Sequence, residues 1–211
     1  MNIISLNNIT KTFDKKIIFK NFNLNIEKGE FVSIMGPSGS GKSTVLNIIG
    51  LLEKPDSGSV QILDHINPKF NSHIGTKLLR KEISYLFQNY GLVESKSVRY
   101  NLKMATYFLN LSKTEENERI KDALNRVGLK NIEDEKVCSL SGGEQQRVAL
   151  AKIILKPSSI ILADEPTGSL DANNRDSVLQ LLKEFNKEGK TIIVVTHDPI
   201  VQEYATKKIC I

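Results

Sequence analysis

The amino-acid sequence predicts an α/β fold. A mostly parallel sheet is covered by helices, an antiparallel β region precedes it, and a helical region is inserted into it. Three observations carry this. Short, largely apolar runs at Phe31–Met35, Ile83–Phe87, Ile160–Ala163 and Thr191–Thr196 have the pattern of strands buried on both faces. The segments between them take helical spacing, with Ile120, Ala123, Leu124 and Val127 on one face. The first thirty residues alternate instead: Ile4, Leu6 and Ile9, then Ile17, Phe19, Phe22, Leu24 and Ile26, are separated by polar residues, as in antiparallel strands with one buried face. At 211 residues the chain reads as one domain. Its expected parts are the β region and first half of the core over 1–88, a helical insertion over about 89–155, and the completed core over 156–211.

Composition narrows the function classes. The chain is 40% hydrophobic and 25% charged, which is ordinary for a globular protein with a buried core. Its net charge of +5 is spread along the sequence and reads first as a solvated surface, second as an anion-facing one. Cys138 and Cys210 lack metal-ligand spacing and read as free thiols in a reducing compartment. The N-terminus has no basic stretch followed by an apolar run, so no signal peptide is expected. The longest apolar runs are too short to cross a bilayer, so work at a membrane would need spans supplied by another chain. Fourteen residues follow His197, and no C-terminal regulatory domain is expected.

Along the chain, Phe13 comes first among the candidate site residues. It stands in a polar turn between Lys11 and Asp14 and fits either an aromatic plate for an adenine ring or an ordinary core residue. Gly36-Pro37-Ser38-Gly39-Ser40-Gly41-Lys42-Ser43, followed by Thr44, fits the phosphate-binding pattern G-x-x-x-x-G-K-[ST]. The glycines let the backbone turn several N–H groups toward one anion at the start of a helix over Thr44–Ile49. Lys42 reaches the β- and γ-phosphates, and the Ser43 hydroxyl can ligate Mg²⁺. Pro55–Gly58 reads as a turn and Val60–Leu63 as a short strand, while Asp64–Lys81 reads as polar and irregular, with His65 and His73 on the surface.

The strand Ile83–Phe87 delivers Gln88 to its carboxyl end, where ligands sit in open α/β sheets. There Gln88 either ligates Mg²⁺ and positions water through its carbonyl, or simply caps the strand. The apolar residues of Asn89–Val93 in an exposed loop point to a partner contact. A helical pattern runs from Val98 to Val127, ended by Gly128, with the charges of Lys113–Asp122 on its solvated face. Leu140–Arg147 places Ser141, Gly142 and Gly143 at a helix start, a second anion site that implies either two phosphates or a site shared between chains. Ile160–Glu165 is an apolar strand ending in two carboxylates. Asp164 would hold Mg²⁺ through water, and Glu165 would orient or deprotonate the attacking water. Ser169-Leu170-Asp171 opens a helix through Phe185 that Gly189 ends. The last buried strand presents His197, which is either a site residue or structural.

Taken together, these motifs resemble the nucleotide-binding subunit of ABC transporters over essentially the whole chain. In the family's order they are the aromatic A-loop (Phe13), Walker A (Gly36–Ser43), Q-loop (Gln88), signature (Leu140–Arg147), Walker B (Ile160–Asp164), catalytic Glu165, D-loop (Ser169–Asp171) and H-loop (His197). The resemblance implies a P-loop NTPase core of the RecA-like, mostly parallel kind, with ATP and Mg²⁺ as ligands. It also implies a head-to-tail pair of two copies, each ATP lying between Walker A of one and Ser141–Gly143 of the other. Glu165 would be the general base, His197 would contact the γ-phosphate, Asp171 would couple the two sites, and Lys42 and Gln88 would complete the catalytic set. A separately encoded integral membrane permease would receive the motion through the Gln88 loop, which places the chain in the cytoplasm on the inner face of the membrane, with no nucleic acid partner. Ala163–Asp171 resembles lipoprotein-releasing, macrolide-exporting and cell-division members. Leu86–Val93 resembles bacteriocin exporters. The competing reading is a mechanical ABC ATPase that moves no substrate and acts through a membrane protein or on nucleic acid.

Overall fold

The computed structural model describes every residue except Lys15 and Ser169. In chain order its elements are β1 (Asn2–Phe13), β2 (Lys16–Glu27), β3 (Phe31–Met35), α1 (Lys42–Ile49), β4 (Ser57–Ile62), β5 (His65–Ile66), α2 (His73–Lys81) and β6 (Ile83–Leu86). Then follow α3 (Val98–Thr106), α4 (Lys113–Arg126), a 3₁₀ turn (Val137–Ser139), α5 (Gly142–Leu155), β7 (Ile160–Asp164), α6 (Ala172–Lys187), β8 (Thr191–Val195), α7 (Val201–Tyr204) and β9 (Lys207–Cys210).

Among the described residues the strands form two sheets. One has the order β2-β1-β4-β5 and is antiparallel. The other has the order β6-β7-β8-β3-β9, and every neighbouring pair in it is parallel. This is the expected α/β architecture. The three-residue step from Leu6 to Ile9 breaks the period of two, and the structure absorbs it in a bulge. Asn8 takes a left-handed conformation (φ 52°) where the β1–β2 register shifts, which returns Ile9 to the buried face.

The central sheet separates two packed interiors. Phe31, Ile161, Ala163, Ile192 and Val194 face one, with α3, α4, α5 and α6. Val32, Ile34, Ile160, Leu162, Ile193 and Val195 face the other, with α1 and the antiparallel sheet. Alternate residues of a strand point to opposite faces, so β3, β7 and β8 are largely apolar because both faces are covered.

Several expectations need correction. Asp64–Lys81 is not irregular throughout. Ser72 caps α2, its hydroxyl accepting from the Gly75 N–H at 3.0 Å, and Leu78 is buried. Ile74, Leu78 and Leu79 give that helix one apolar side, but its nine residues are fewer than the window over which a helical period is read. The helical stretch from Val98 is two helices, because Ser112 starts α4 with a reciprocal capping box to Glu115. Leu63 lies past β4 with φ 53°, and Phe87 lies past β6, exposed and stacked on Tyr85 at 4.1 Å. Ile17 is 60% exposed rather than inward. β5, α7 and β9 were not expected at all.

Candidate nucleotide site

The site collects at the carboxyl ends of β3, β7 and β8. β3 runs into the 36–41 loop, where Gly39 and Gly41 take positive φ (76° and 102°). A Cβ on Gly41 would lie 2.4 Å from Phe19 Cζ, so only glycine lets the loop turn while pressed against β2. The Lys42 ammonium donates to the carbonyl oxygens of Gly36 (2.8 Å) and Pro37 (3.1 Å). The loop thus holds its own cation beside the N-terminus of α1. The Ser40 hydroxyl is buried and has no hydrogen-bond partner among the described residues.

Parallel pairing brings Walker B alongside. The Ser43 hydroxyl donates to Asp164 Oδ1 at 3.1 Å, across 121 residues of sequence. Burial pushes the Asp164 carboxyl up from its usual range. The Ser43 hydrogen bond and the Lys42 charge pull it down, and neighbouring Glu165 adds to the rise. The folded state therefore favours neutral Asp164, and its stability falls as pH rises from the unfolded carboxyl's titration through the raised one. At neutral pH the ionised group is held at a cost. Asp164→Asn is expected to raise the melting temperature at pH 7 while abolishing metal-dependent turnover, as read by thermal denaturation beside an ATPase assay.

Glu165 follows with φ 46°, a left-handed conformation that is costly for a residue with a Cβ. The end of β8 enforces it. The Glu165 N–H donates to the Val195 carbonyl at 2.9 Å. Its carboxylate accepts from the buried Thr196 hydroxyl (3.0 Å) and the His197 N–H (3.4 Å), and lies 3.0 Å from His197 Nδ1. Glu165 is mostly shielded while His197 is 70% exposed. Lys42, Ser43, Asp164, Glu165 and His197 therefore converge. Gln88 stands exposed past β6, the strand beside β7.

Phe13 ends β1 at 43% exposure, which removes the core alternative. Its β2 register partner, Lys16, reaches the Gly39 carbonyl at 3.5 Å, which ties this end of the β1–β2 pair to the phosphate loop.

Ser141–Gly143 lies elsewhere. Ser141 caps α5 and exchanges hydrogen bonds with Glu144 in a capping box, and Ser141 and Gly142 are exposed. Leu140 and Val148, on either side of this helix start, belong to the helical interior, whereas α1 belongs to the opposite one. Sequence reasoning missed the residues that tie this helix to the rest. Arg147 donates to Asn174 Oδ1 (2.6 Å), and Asn174 donates in turn to both carboxylate oxygens of Asp171, the N-cap of α6. Buried Gln146 donates to the Pro166 carbonyl at 2.9 Å, just after Glu165. Asn174 falls one helical turn beyond an N-cap and could have been suspected on that ground. The D-loop assignment includes Ser169, which lies outside the described residues.

Comparison with known proteins agrees with this geometry. The ABC transporter family model matches residues 19–168. The macrolide export ATP-binding/permease protein MacB of Campylobacter jejuni is 40% identical over 207 residues, covering 98% of this chain but 32% of that protein. The chain thus spans about a third of the length of such relatives. The ABC transporter ATP-binding protein MJ0796 of Methanocaldococcus jannaschii is 44% identical, with 97% of this chain and 91% of that one covered. A dimeric structure of the MJ0796 ATP-binding cassette in a post-hydrolysis state with ADP and phosphate superposes with a TM-score of 0.91, at 40% identity, over 99% of this chain and 94% of that one. The chain belongs to the ABC transporter family, as an ATPase cassette of the branch that includes the macrolide exporters.

Proposed function

We propose that this cassette pairs head to tail with a second copy and drives export through a separately encoded integral membrane permease, working from the cytoplasmic face of the membrane. The observation that carries the reading is the division of the site. Lys42, Asp164, Glu165 and His197 gather at one place, while the exposed Ser141–Gly143 helix start is built on the opposite interior. A helix start with free N–H groups suits an anion, and a second copy turned end to end supplies it across the first copy's phosphate loop.

Placement supports a role for each residue. Gly36–Thr44 cradle the phosphates through backbone N–H groups, Lys42 and the orphaned Ser40 hydroxyl. Phe13 stacks on the base. The Ser43 hydroxyl and the Asp164 carboxylate are hard oxygen donors of the kind Mg²⁺ selects. Mg²⁺ there would offset charge on the β- and γ-phosphates. Gln88 lies just past β6, the strand paired with β7, and its side-chain carbonyl would be a further oxygen donor for the ion. Glu165 accepts the proton of the attacking water, oriented by Thr196 and His197. Asp171, braced by Asn174, carries the state of one site to the other.

The permease would seat in a groove of about 270 Å³ next to Gln88, lined by Phe87, Tyr90, Met104, Phe108, Lys152 and Lys156. Burial lowers both lysines, and with Lys152 nearby Lys156 falls to about 8. No described helix is long and apolar enough to cross a membrane, so the spans would come from elsewhere. The cargo is a peptide such as a bacteriocin, a lipoprotein or a drug, and the macrolide-export names of relatives favour a drug.

The test is affinity purification of tagged Glu165→Gln from detergent-solubilised native membranes with ATP. Co-purification of a polytopic membrane protein supports the proposal. A soluble protein, nucleic acid or ribosomes in its place overturns the export reading and leaves the ATPase intact.

A further inference from the structure

Lys11 is unusual in this fold: a lysine on a strand that is only 7% exposed. Its ammonium is fully engaged. It donates to Glu53 Oε1 at 2.6 Å and to the Lys54 carbonyl at 2.9 Å, and lies 3.6 Å from Asp56 Oδ1. A buried cation with this many oxygen partners is readily explained as satisfied. Its position on β1 adds something. Residues two apart on a strand share a face, and Lys11 Nζ sits 4.7 Å from the centroid of the Phe13 ring. The Phe13 ring is therefore backed by a cation that is itself fixed.

Glu53 and Asp56 belong to the turn that follows α1, the helix rising from the phosphate loop. Asp56 also accepts from the Thr12 N–H at 2.7 Å through its other oxygen, and its own N–H donates to the Thr10 carbonyl at 2.9 Å. The end of β1 that bears Phe13 is thus bolted to the turn between α1 and β4, and that turn is joined to the phosphate loop through α1. Phe13 carries no hydroxyl with which to anchor itself. A cation over one ring face holds it by quadrupole attraction and leaves the rest of the ring open.

We infer that Lys11, clamped by Glu53 and Asp56, is a positioning residue for nucleotide binding that holds the Phe13 ring at a fixed distance from the phosphate loop. The inference rests on the reading of Phe13 as the base-stacking residue, and the experiment separates the two. Dissociation constants are measured by calorimetry for ADP, which carries the base, and for pyrophosphate, which lacks it. The variants are Phe13→Ala, Lys11→Met, Glu53→Gln and the double variant Phe13→Ala with Lys11→Met, each checked for folding by circular dichroism.

Phe13→Ala should weaken ADP about five- to hundredfold, on the scale of base–aromatic stacking. Lys11→Met should weaken ADP about two- to fivefold, leave pyrophosphate unchanged, and add nothing in the Phe13→Ala background. Glu53→Gln keeps the lysine but loosens it, and should give a smaller loss of the same kind; it carries the test if Lys11→Met does not fold. A loss that extends to pyrophosphate, or persists without the Phe13 ring, overturns the inference, because Lys11 then acts through the loop or the fold. So does an unchanged ADP affinity in Lys11→Met beside a large loss in Phe13→Ala, which leaves the stacking reading standing. If Phe13→Ala itself binds ADP normally, the stacking reading fails first and the inference falls with it.

Discussion

Glu165→Gln is expected to lower steady-state ATP hydrolysis about 10²–10⁴-fold, the range for loss of a positioned general base, and to accumulate an ATP-bound dimer. Gln matches Glu in shape, so the hydrogen bond from the Thr196 hydroxyl to the carbonyl oxygen of the side chain survives. The left-handed backbone at φ 46° is kept as well, since the Val195 carbonyl that enforces it is main chain. What disappears is the capacity to take a proton. A pair that closes around ATP and opens on hydrolysis should then remain closed. Size-exclusion chromatography with Mg-ATP beside a phosphate-release assay reads both effects. Turnover near that of the unaltered protein would remove Glu165 from the chemistry. A variant that stays monomeric at high concentration would remove the shared site.

Lys42→Ala should abolish hydrolysis by a different route, with a loss of at least about 10²-fold on the scale of deleting one preorganised donor at a site of developing charge. Lys42 is the cation held against the Gly36 and Pro37 carbonyls, and without it the phosphate loop offers the γ-phosphate no charged side chain of its own. Unlike Glu165→Gln, this variant should form no ATP-dependent dimer, because the nucleotide that would bridge the proposed pair is no longer held. Equilibrium binding of labelled ATP separates the two cases: it is retained in Glu165→Gln and lost in Lys42→Ala. Equal retention in both would place Lys42 outside phosphate binding.

Much of this was legible in the sequence, for physical reasons that differ from element to element. Strands buried on both faces announce themselves as apolar runs, so β3, β7 and β8 could be read directly. The turn glycines of the phosphate loop could be read because no other residue suits φ near 102° beside Phe19. β9 could not be read. It is an edge strand of the parallel sheet with alternating exposure, and Lys207-Lys208-Ile209-Cys210 carries no strong period. α2 was hidden because it is only nine residues long and set among polar residues, too short for its apolar side to stand out as a period. Phe13 was ambiguous until its exposure was known. The Arg147–Asn174–Asp171 chain and the Lys11 clamp were out of reach, because they depend on which side chains the fold brings together, and no local pattern encodes a contact between residues 11 and 53.

The alternation along β3, β7 and β8 has a consequence for how this protein can change over time. Because neighbouring positions on one strand belong to different interiors, a substitution at Val194 strains the packing behind the signature helix, while one at Val195 strains the packing behind the phosphate loop. The sheet therefore divides the packing consequences of substitution between two interiors, which the Gln146–Pro166 and Arg147–Asn174 hydrogen bonds join at the strand ends. A change on one face of a strand is felt first by the elements packed on that face.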